Sequence, residues 1–469
     1  MSSSANAVAT VDGARRRWLA RAGGFGCALA LAACASPEQP GSGTGSTQAA
    51  PTTLPPAPGA DQSDPAVDAE LAPHQFSLDL GLVPDGDVHQ YAEQIGHALQ
   101  AATSPASLPC TCRVTNANHL NAYAFPGGTI GITRGLLLAL EDESELAAVL
   151  AHQLAHLALG HVQRALPRSE TRKRLLATTV AASQESAWVP TLGLSAPLGD
   201  SPLLAHFTAE QDVAADALAV RLLARAGYVP QALPTLLDRL AQRASSQSAL
   251  LAGLTARHPL DDARRQAARQ SAQQAAQPAS HPTPRPVDGG ASPAARRRSE
   301  ATRWAEQLAW LQRQREAVEA CQLGELAMLE RNPAQAQTHF EAAQAASPTD
   351  YASLLRLSQS LQAQGLTREA APLADAARSH HPREAQAHRL AATLYLGLRD
   401  GAKAWLALEQ YDRLLPGDPG VIFLQGVALE SLGRTRHAAE HYRTYLRVTQ
   451  EGQAAQYALS RIKALGYSP

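Results

Sequence analysis

The chain has 469 residues, room for two or three domains, and its 41 Lys+Arg against 42 Asp+Glu leave a net charge of −1. That balance excludes a bulk electrostatic draw to nucleic acid or to an anionic membrane surface. Few aromatics (4%) and an abundance of alanine and leucine predict a mainly α fold.

The N-terminus reads as a targeting segment. Residues 15–21, RRRWLAR, form a basic start, and residues 22–33, AGGFGCALALAA, form an apolar run too short to span a bilayer. Leu31-Ala32-Ala33-Cys34 then resembles a bacterial lipobox, with cleavage before Cys34 and lipid on its thiol. An ordinary signal peptide with a chance cysteine is the plainer alternative. Two arginines ahead of Trp18-Leu19 also resemble a twin-arginine export signal. Ala35, where an aspartate would favour the inner membrane, implies an outer-membrane anchor facing the periplasm. On this reading 1–33 is a lipoprotein signal peptide, and 34–75, rich in Pro, Gly, Ser, Thr and Gln, is a flexible tether.

A folded domain is expected over 76–276. Early in it, Cys110-Thr-Cys112 offers two thiols whose Cα atoms would lie about 6.6 Å apart on an extended strand, near the upper limit for a disulfide. Two buried thiols, a strained bridge and a metal-binding pair all remain open. Next come residues 146–161, LAAVLAHQLAHLALGH. Ser144 can cap a helix here, and Leu146, Val149, Leu150, Leu154 and Leu157 give it a buried side. His152 and His156 then project from one face, one turn apart, and can share one Zn²⁺ at about 2.0–2.1 Å. A third ligand must come from elsewhere. Residues 207–220, FTAEQDVAADALAV, form another helical pattern with Asp212 and Asp216 four apart. One carboxylate can bind metal while the other accepts an N–H from a ligand histidine. Without metal, the same polar groups would simply hydrogen-bond across two packed helices.

Residues 277–303 are a Pro/Gly-rich linker, and a helical array follows over 304–469. Pro348, Pro382 and Pro416 are 34 apart, the length of a tetratricopeptide repeat. Leu323 and Gly324 are expected to open the first helix of the first unit, with Ala336, Phe340 and Ala343 on its second. Leu357, Gly365, Ala370 and Ala377 mark the second unit, Tyr395 and Ala404 the third, and Gly426, Gly433, Ala438 and Tyr442 the fourth. Residues 452–465 are expected to cap the array. Such a solenoid binds a partner protein on its concave face.

Residues 121–161 together resemble the core of peptidase family M48. Asn121, Ala122, Phe125, Pro126, Gly127 and Gly128 match its N-A-x-x-x-P-G-G segment, and Arg134-Gly135-Leu136 its R-G-L. Residues 207–216 resemble its E-x-x-x-D motif, and Arg257-His258-Pro259 a later histidine-proline element. The order of a lipid signal, a protease-like domain and tetratricopeptide repeats resembles the periplasmic BepA-type branch. The resemblance implies a mainly α, zincin-like metalloprotease domain with a small β-hairpin or sheet, followed by an α-solenoid. It makes His152, His156 and Asp212 ligands of zinc, Asp216 the carboxylate behind them, and His258 a fourth ligand that can close the site. It assigns substrate binding to Asn121, Pro126, Gly127 and Gly128, where an extended chain would pair beside an edge strand. It implies a zinc endopeptidase of envelope protein quality control, with unfolded or assembling envelope proteins as partners.

Two residues depart from the family pattern. Gln153 stands where H-E-x-x-H has its general-base glutamate, and a carboxamide cannot take up a proton at neutral pH. Losing a general base costs on the order of 10²–10⁴-fold in rate. Weak or absent proteolysis is therefore expected, and a non-catalytic chaperone or scaffold for outer-membrane protein assembly is the alternative. Asp212 is one methylene shorter than the family's glutamate, so its helix must approach by roughly 1 Å or a water must bridge. Glu210 lies about 200° around the helix from Asp212, and Glu145 precedes His152 by two turns, so neither replaces the missing group locally.

Overall fold

The computed structural model describes residues 65–84, 86–103, 109–165, 198–201, 203–276, 293–448, 450 and 452–468. The expected signal peptide, the lipidation site Cys34 and the linker stretch 277–292 lie outside the described residues. No helix among the described residues is long and apolar enough to cross a membrane.

The first element is helix α1 (Pro65–Leu78). It begins within the stretch expected as tether, because Leu71 and Ala72 bury against Tyr123, Phe125, Leu203 and Leu204. Helix α2 (Gly86–Ala101) follows, burying Val88, Tyr91, Ala92, Ile95 and Leu99 at helical spacing. Strands β1 (Thr111–Thr115), β2 (Ala122–Ala124) and β3 (Thr129–Thr133) are short, and β1 and β3 are rich in β-branched residues. They form one sheet in the order β1-β3-β2, with β1 parallel and β2 antiparallel to β3. The β2–β3 turn needs a glycine at Gly128, where φ is +97° and a Cβ would fall 2.1 Å from the Pro109 carbonyl oxygen.

Helix α3 (Arg134–Ala139) leads to α4 (Glu143–Ala158), which is buried from Glu143 to Leu157 and forms the centre of the domain. Its cap is Asp142, not the expected Ser144: the Asp142 carboxylate accepts from the Glu145 amide at 2.9 Å. A short α5 (His161–Ala165) follows. Helix α6 (Ala209–Ala226) packs along α4 and opens with a capping box, Thr208 with Gln211. Helices α7 (Ala232–Ser246), α8 (Ala252–Arg257) and α9 (Asp262–Ala275) complete this domain. Helices α10 (Pro293–Gln307) and α11 (Ala309–Arg313) belong to it by packing, since Trp304, Leu308 and Leu311 join its core rather than that of the repeats.

The repeats are helix pairs: α12 (Arg315–Leu329) with α13 (Pro333–Ala346), α14 (Tyr351–Ala363) with α15 (Thr367–His380), α16 (Ala385–Gly397) with α17 (Gly401–Leu414), and α18 (Pro419–Ser431) with α19 (Thr435–Val448). A single α20 (Gln453–Ala464) packs on the last pair. The second helices start at 333, 367, 401 and 435, a constant step of 34. Leu323 and Gly324 sit inside α12 rather than opening it. The reason for Gly324 is contact: a Cβ there would fall 2.4 Å from Phe340 Cε1, and one on Gly426 would fall 2.7 Å from Tyr442 Cε1. Those two glycine–aromatic pairs occupy the same place in the first and fourth units. Each lets a large ring fill the space between paired helices, which is worth roughly 2–3 kcal/mol per buried ring.

Polar groups join the repeats to the first domain. Arg134 forks onto the Asp350 carboxylate at 2.6 and 3.1 Å, and both are buried. Arg134 also donates to Asn118 Oδ1, and Gln322 donates to the Asn118 carbonyl. Near the end of α1, the Ser77 hydroxyl donates to Glu384 at 2.9 Å.

Candidate metal centre

Three pieces of chain meet at one point. Helix α4 brings His152 and His156, the first two turns of α6 bring Asp212 and Asp216, and the C-terminal end of α8 brings His258. All five are buried. His152 Nε2 lies 3.2 Å from His156 Nε2 and 3.2 Å from His258 Nδ1. Asp212 Oδ1 lies 2.7 Å from His258 Nδ1, 3.2 Å from His156 Nε2 and 3.7 Å from His152 Nε2. A tetrahedral zinc site with bonds of about 2.0–2.1 Å has ligand–ligand edges of about 3.3–3.4 Å. The spread from 2.7 to 3.7 Å brackets that edge, so these four donors fit one small cation. Asp212, despite its missing methylene, reaches the centre directly because α6 packs close on α4.

A second layer holds the donors. Asp216 Oδ1 lies 2.7 Å from His152 Nδ1, which turns Nε2 toward the centre. Arg264, in the first turn of α9, forks onto Asp216 at 2.7 and 3.1 Å and reaches Asp212 Oδ2 at 3.3 Å. His161 Nδ1 lies 3.2 Å from His156 Nδ1, and half-buried Phe207 stacks on the His156 ring at 3.8 Å between centroids. Sequence reading assigned no role to Arg264, His161 or Phe207. His161 stood in the quoted run, five residues past His156. Arg264 carried no local signal, since its role follows only from the turn between α8 and α9.

The electrostatics suit a cation. Burial pushes the His156 imidazole well below its usual range, and it holds His258 and His161 at about 4. Burial alone would raise the Asp212 carboxyl, but hydrogen bonds from His156 and His258, with the charges of His258 and Arg264, outweigh it and hold it low. Asp216 is likewise pulled down against burial, to about 2, mainly by Arg264 and His152. At neutral pH the carboxylates are charged and His156 and His258 are neutral, the state a metal needs.

Gln153 follows His152 on α4 but turns to the sheet. It is 2% exposed, and its Nε2 donates to the Ala122 carbonyl of β2 at 3.4 Å. Its Oε1 has no hydrogen-bond partner. The carboxylates bonded into the donor cluster are Asp212 and Asp216. Glu145 is occupied by the Glu141 amide and Arg239, and Glu210 faces solvent.

The residues expected to bind substrate are covered. Asn121, Pro126, Gly127 and Gly128 are buried. Asn121 donates to the Gly199 carbonyl at 3.0 Å. Asp68 of α1 accepts from the Gly127 amide at 2.5 Å and from the Thr129 amide at 2.8 Å. In this conformation α1 lies over the hairpin.

Residues 84–272 match the model of peptidase family M48. That match covers less than half of the chain and spans the domain that holds the metal centre. Among curated relatives, the chain is 30% identical over 212 residues to the "Beta-barrel assembly-enhancing protease" of Yersinia pestis, covering 42% of this chain and 43% of that one. It is 30% identical over 191 residues to the "Putative beta-barrel assembly-enhancing protease" of Vibrio cholerae, covering 39% of each. "Metalloprotease LoiP" of Escherichia coli is 31% identical over 136 residues, 29% of this chain and 52% of that one. The matches to the two β-barrel relatives thus span less than half of their lengths. A solved structure, the MamA RS-1 ArsTM double mutant, aligns with 32% of this chain and 89% of that chain at 16% identity and a TM-score of 0.30. Inside the matched span, residues 152–156 read HQLAH.

Proposed function

We propose that this chain is a periplasmic M48 protein, anchored to the outer membrane through Cys34, that holds zinc in a closed centre and has weak or absent proteolysis. The observation that carries this reading is the pairing of a complete four-donor cluster with Gln153, whose buried carboxamide cannot take up a proton. His152, His156, Asp212 and His258 would hold the metal, with Asp216 and Arg264 orienting them. Bound zinc would supply Lewis-acid polarisation and acidified solvent. With all four ligands in place no position is open, so His258 would have to leave before solvent could bind, the arrangement of a latent site. The repeats would hold unfolded or assembling envelope proteins, the role in β-barrel assembly that the names of the relatives carry. Elemental analysis of the purified protein beside a casein assay, for wild type and Gln153→Glu, tests this. Near-stoichiometric zinc with little cleavage by wild type is expected; zinc with ordinary metalloprotease turnover by wild type would refute it.

A second reading, a chaperone or scaffold without catalysis, draws on the burial of 121–128 beneath α1. It differs in two outcomes: client binding would persist in His152→Ala, and Gln153→Glu would gain no cleavage.

A further inference from the structure

We propose that Cys110 and Cys112 form a thiol–disulfide pair that opens and closes by exchange with small-molecule disulfides. The observations are independent of the metal centre, whose donor cluster includes neither cysteine. Cys112 lies in β1 and Cys110 immediately precedes it, two residues away on extended chain, so their side chains leave the same face. Both point at one spot on α2. A Cβ added to Gly96 would fall 2.7 Å from Cys110 Sγ and 3.1 Å from Cys112 Sγ. The helix therefore carries its glycine where the two sulfurs converge. The two thiols also act on each other: proximity to Cys112 lowers the Cys110 thiol, and proximity to Cys110 together with burial raises that of Cys112. Cys110 is the more accessible, at 6% exposure against 0%. These features divide the labour of a redox pair: one sulfur to attack, the other to resolve.

The chemistry balances with a disulfide RSSR as oxidant. The Cys110 thiolate attacks one sulfur of RSSR, forming a mixed disulfide and releasing one thiolate, RS⁻. Cys112 gives up its proton and attacks Cys110 Sγ, closing the intramolecular bond and releasing the second RS⁻. Two thiols of the protein are oxidised, and one disulfide is reduced to two thiols.

The bridge would be strained, and the strain has an address. An extended Cys-x-Cys holds its Cα atoms about 6.6 Å apart, whereas disulfides favour about 5.5–6 Å. Closing the bond must bend β1 at Thr111. That residue's amide donates to the Gly128 carbonyl at 3.0 Å, the bond tying β1 to the β2–β3 turn. The flanking carbonyls are held as well, that of Cys110 3.1 Å from His97 Nε2 and that of Cys112 accepting from Arg113 at 2.8 Å. With its neighbours held, the bend falls on the Thr111–Gly128 bond. Oxidation thus loosens the hairpin that α1 covers.

The test uses the full chain equilibrated with mixtures of reduced and oxidised glutathione, quenched in denaturing acid, alkylated, digested and mapped by mass. Excess oxidised glutathione should remove both alkylation sites in the peptide that holds Cys110 and Cys112, replaced by a loss of two hydrogens. Reduced glutathione should reverse this, while buried Cys321 stays alkylated throughout. Cys112→Ser should stop at a glutathione adduct on Cys110. In the closed form the Thr111 amide should exchange with deuterium at least about tenfold faster. The proposal is overturned if both cysteines stay alkylated at every ratio, if glutathione adducts build up on both without closure, or if the bond joins two molecules. The wild-type measurement decides even if the serine variant fails to fold.

Discussion

Replacing Gln153 by glutamate should convert a quiet site into a working one, and the structure sets both the cost and the gain. The carboxamide is buried and weakly held: one long hydrogen bond to Ala122 and an Oε1 with no partner. Losing that bond costs about 1 kcal/mol at most. The larger cost is charge. A carboxylate at this depth meets the Ala122 carbonyl, an acceptor against an acceptor, so without a cation the substituted side chain favours its protonated form. A cation among the four donors offsets that cost. Gln153→Glu should therefore lose stability in chelator and recover it with zinc. Once His258 leaves the metal and solvent takes its place, the gain is that of a general base, on the order of 10²–10⁴-fold in turnover, or about 2.7–5.4 kcal/mol of barrier. The assay is casein cleavage with one equivalent of zinc, using wild type, Gln153→Glu and His152→Ala as background. The reasoning is refuted if wild type turns over within about tenfold of Gln153→Glu, or if the variant keeps its zinc yet gains nothing.

Zinc at about 100 times its dissociation constant should stabilise the protein by about 2.7 kcal/mol over the chelator-treated form; thermal melts with and without zinc check this, and His152→Ala should abolish the increment. Arg134→Ala leaves Asp350 charged and buried without its partner, so urea unfolding should show a loss of about 3–5 kcal/mol, largely recovered when Asp350→Asn is added. Burial pushes the Glu384 carboxyl up to about 7, against hydrogen bonds from Ser77 and from the Gln386 and Ala385 amides. The folded state therefore holds this proton more tightly than the unfolded chain, so stability is full below pH about 4.5 and falls by roughly 3 kcal/mol as pH rises through 7. Glu384→Gln should remove that decline, and the difference in unfolding free energy between the two proteins should grow from pH 5 to pH 8.

Much of this was legible because regular elements write their period into the sequence. The step of 34 between prolines gave the repeats, and the four-residue spacing within His152/His156 and Asp212/Asp216 placed each pair on one helix face. What stayed hidden was whatever depends on two distant segments meeting. Arg264 is 48 residues from Asp216 in sequence, and Asp350 is 216 from Arg134. The Arg134-Gly135-Leu136 motif was visible, but not that its arginine forks onto Asp350 of the repeats. Local capping was also ambiguous, since Asp142 and Ser144 are both good caps and only the chain path into α4 chose between them. The tether boundary failed for a related reason: residues 65–75, PAVDAELAPHQ, carry two prolines and no clear apolar stripe, and Leu71 and Ala72 become core only when the hairpin offers Tyr123 and Phe125 to cover.

The charge balance of the centre explains why a glutamine can persist there. Asp212 and Asp216 bring two negative charges and Arg264 one positive, leaving one negative charge for the imidazoles or a cation to balance. A glutamate at position 153 would either make that two or, in the empty site, have to hold a proton, in a region with almost no exposure to solvent. Such a site is strongly destabilised whenever it is empty and tolerates only the loaded state. The carboxamide removes that repulsion, so the donor cluster can stay assembled through loss and recovery of its metal. A chain selected for holding clients gains from that constancy, whereas one selected for cleavage needs the very carboxylate that makes the empty site unstable. Gln153 therefore lets the donor cluster outlast the loss of its metal, which a glutamate at that position would not.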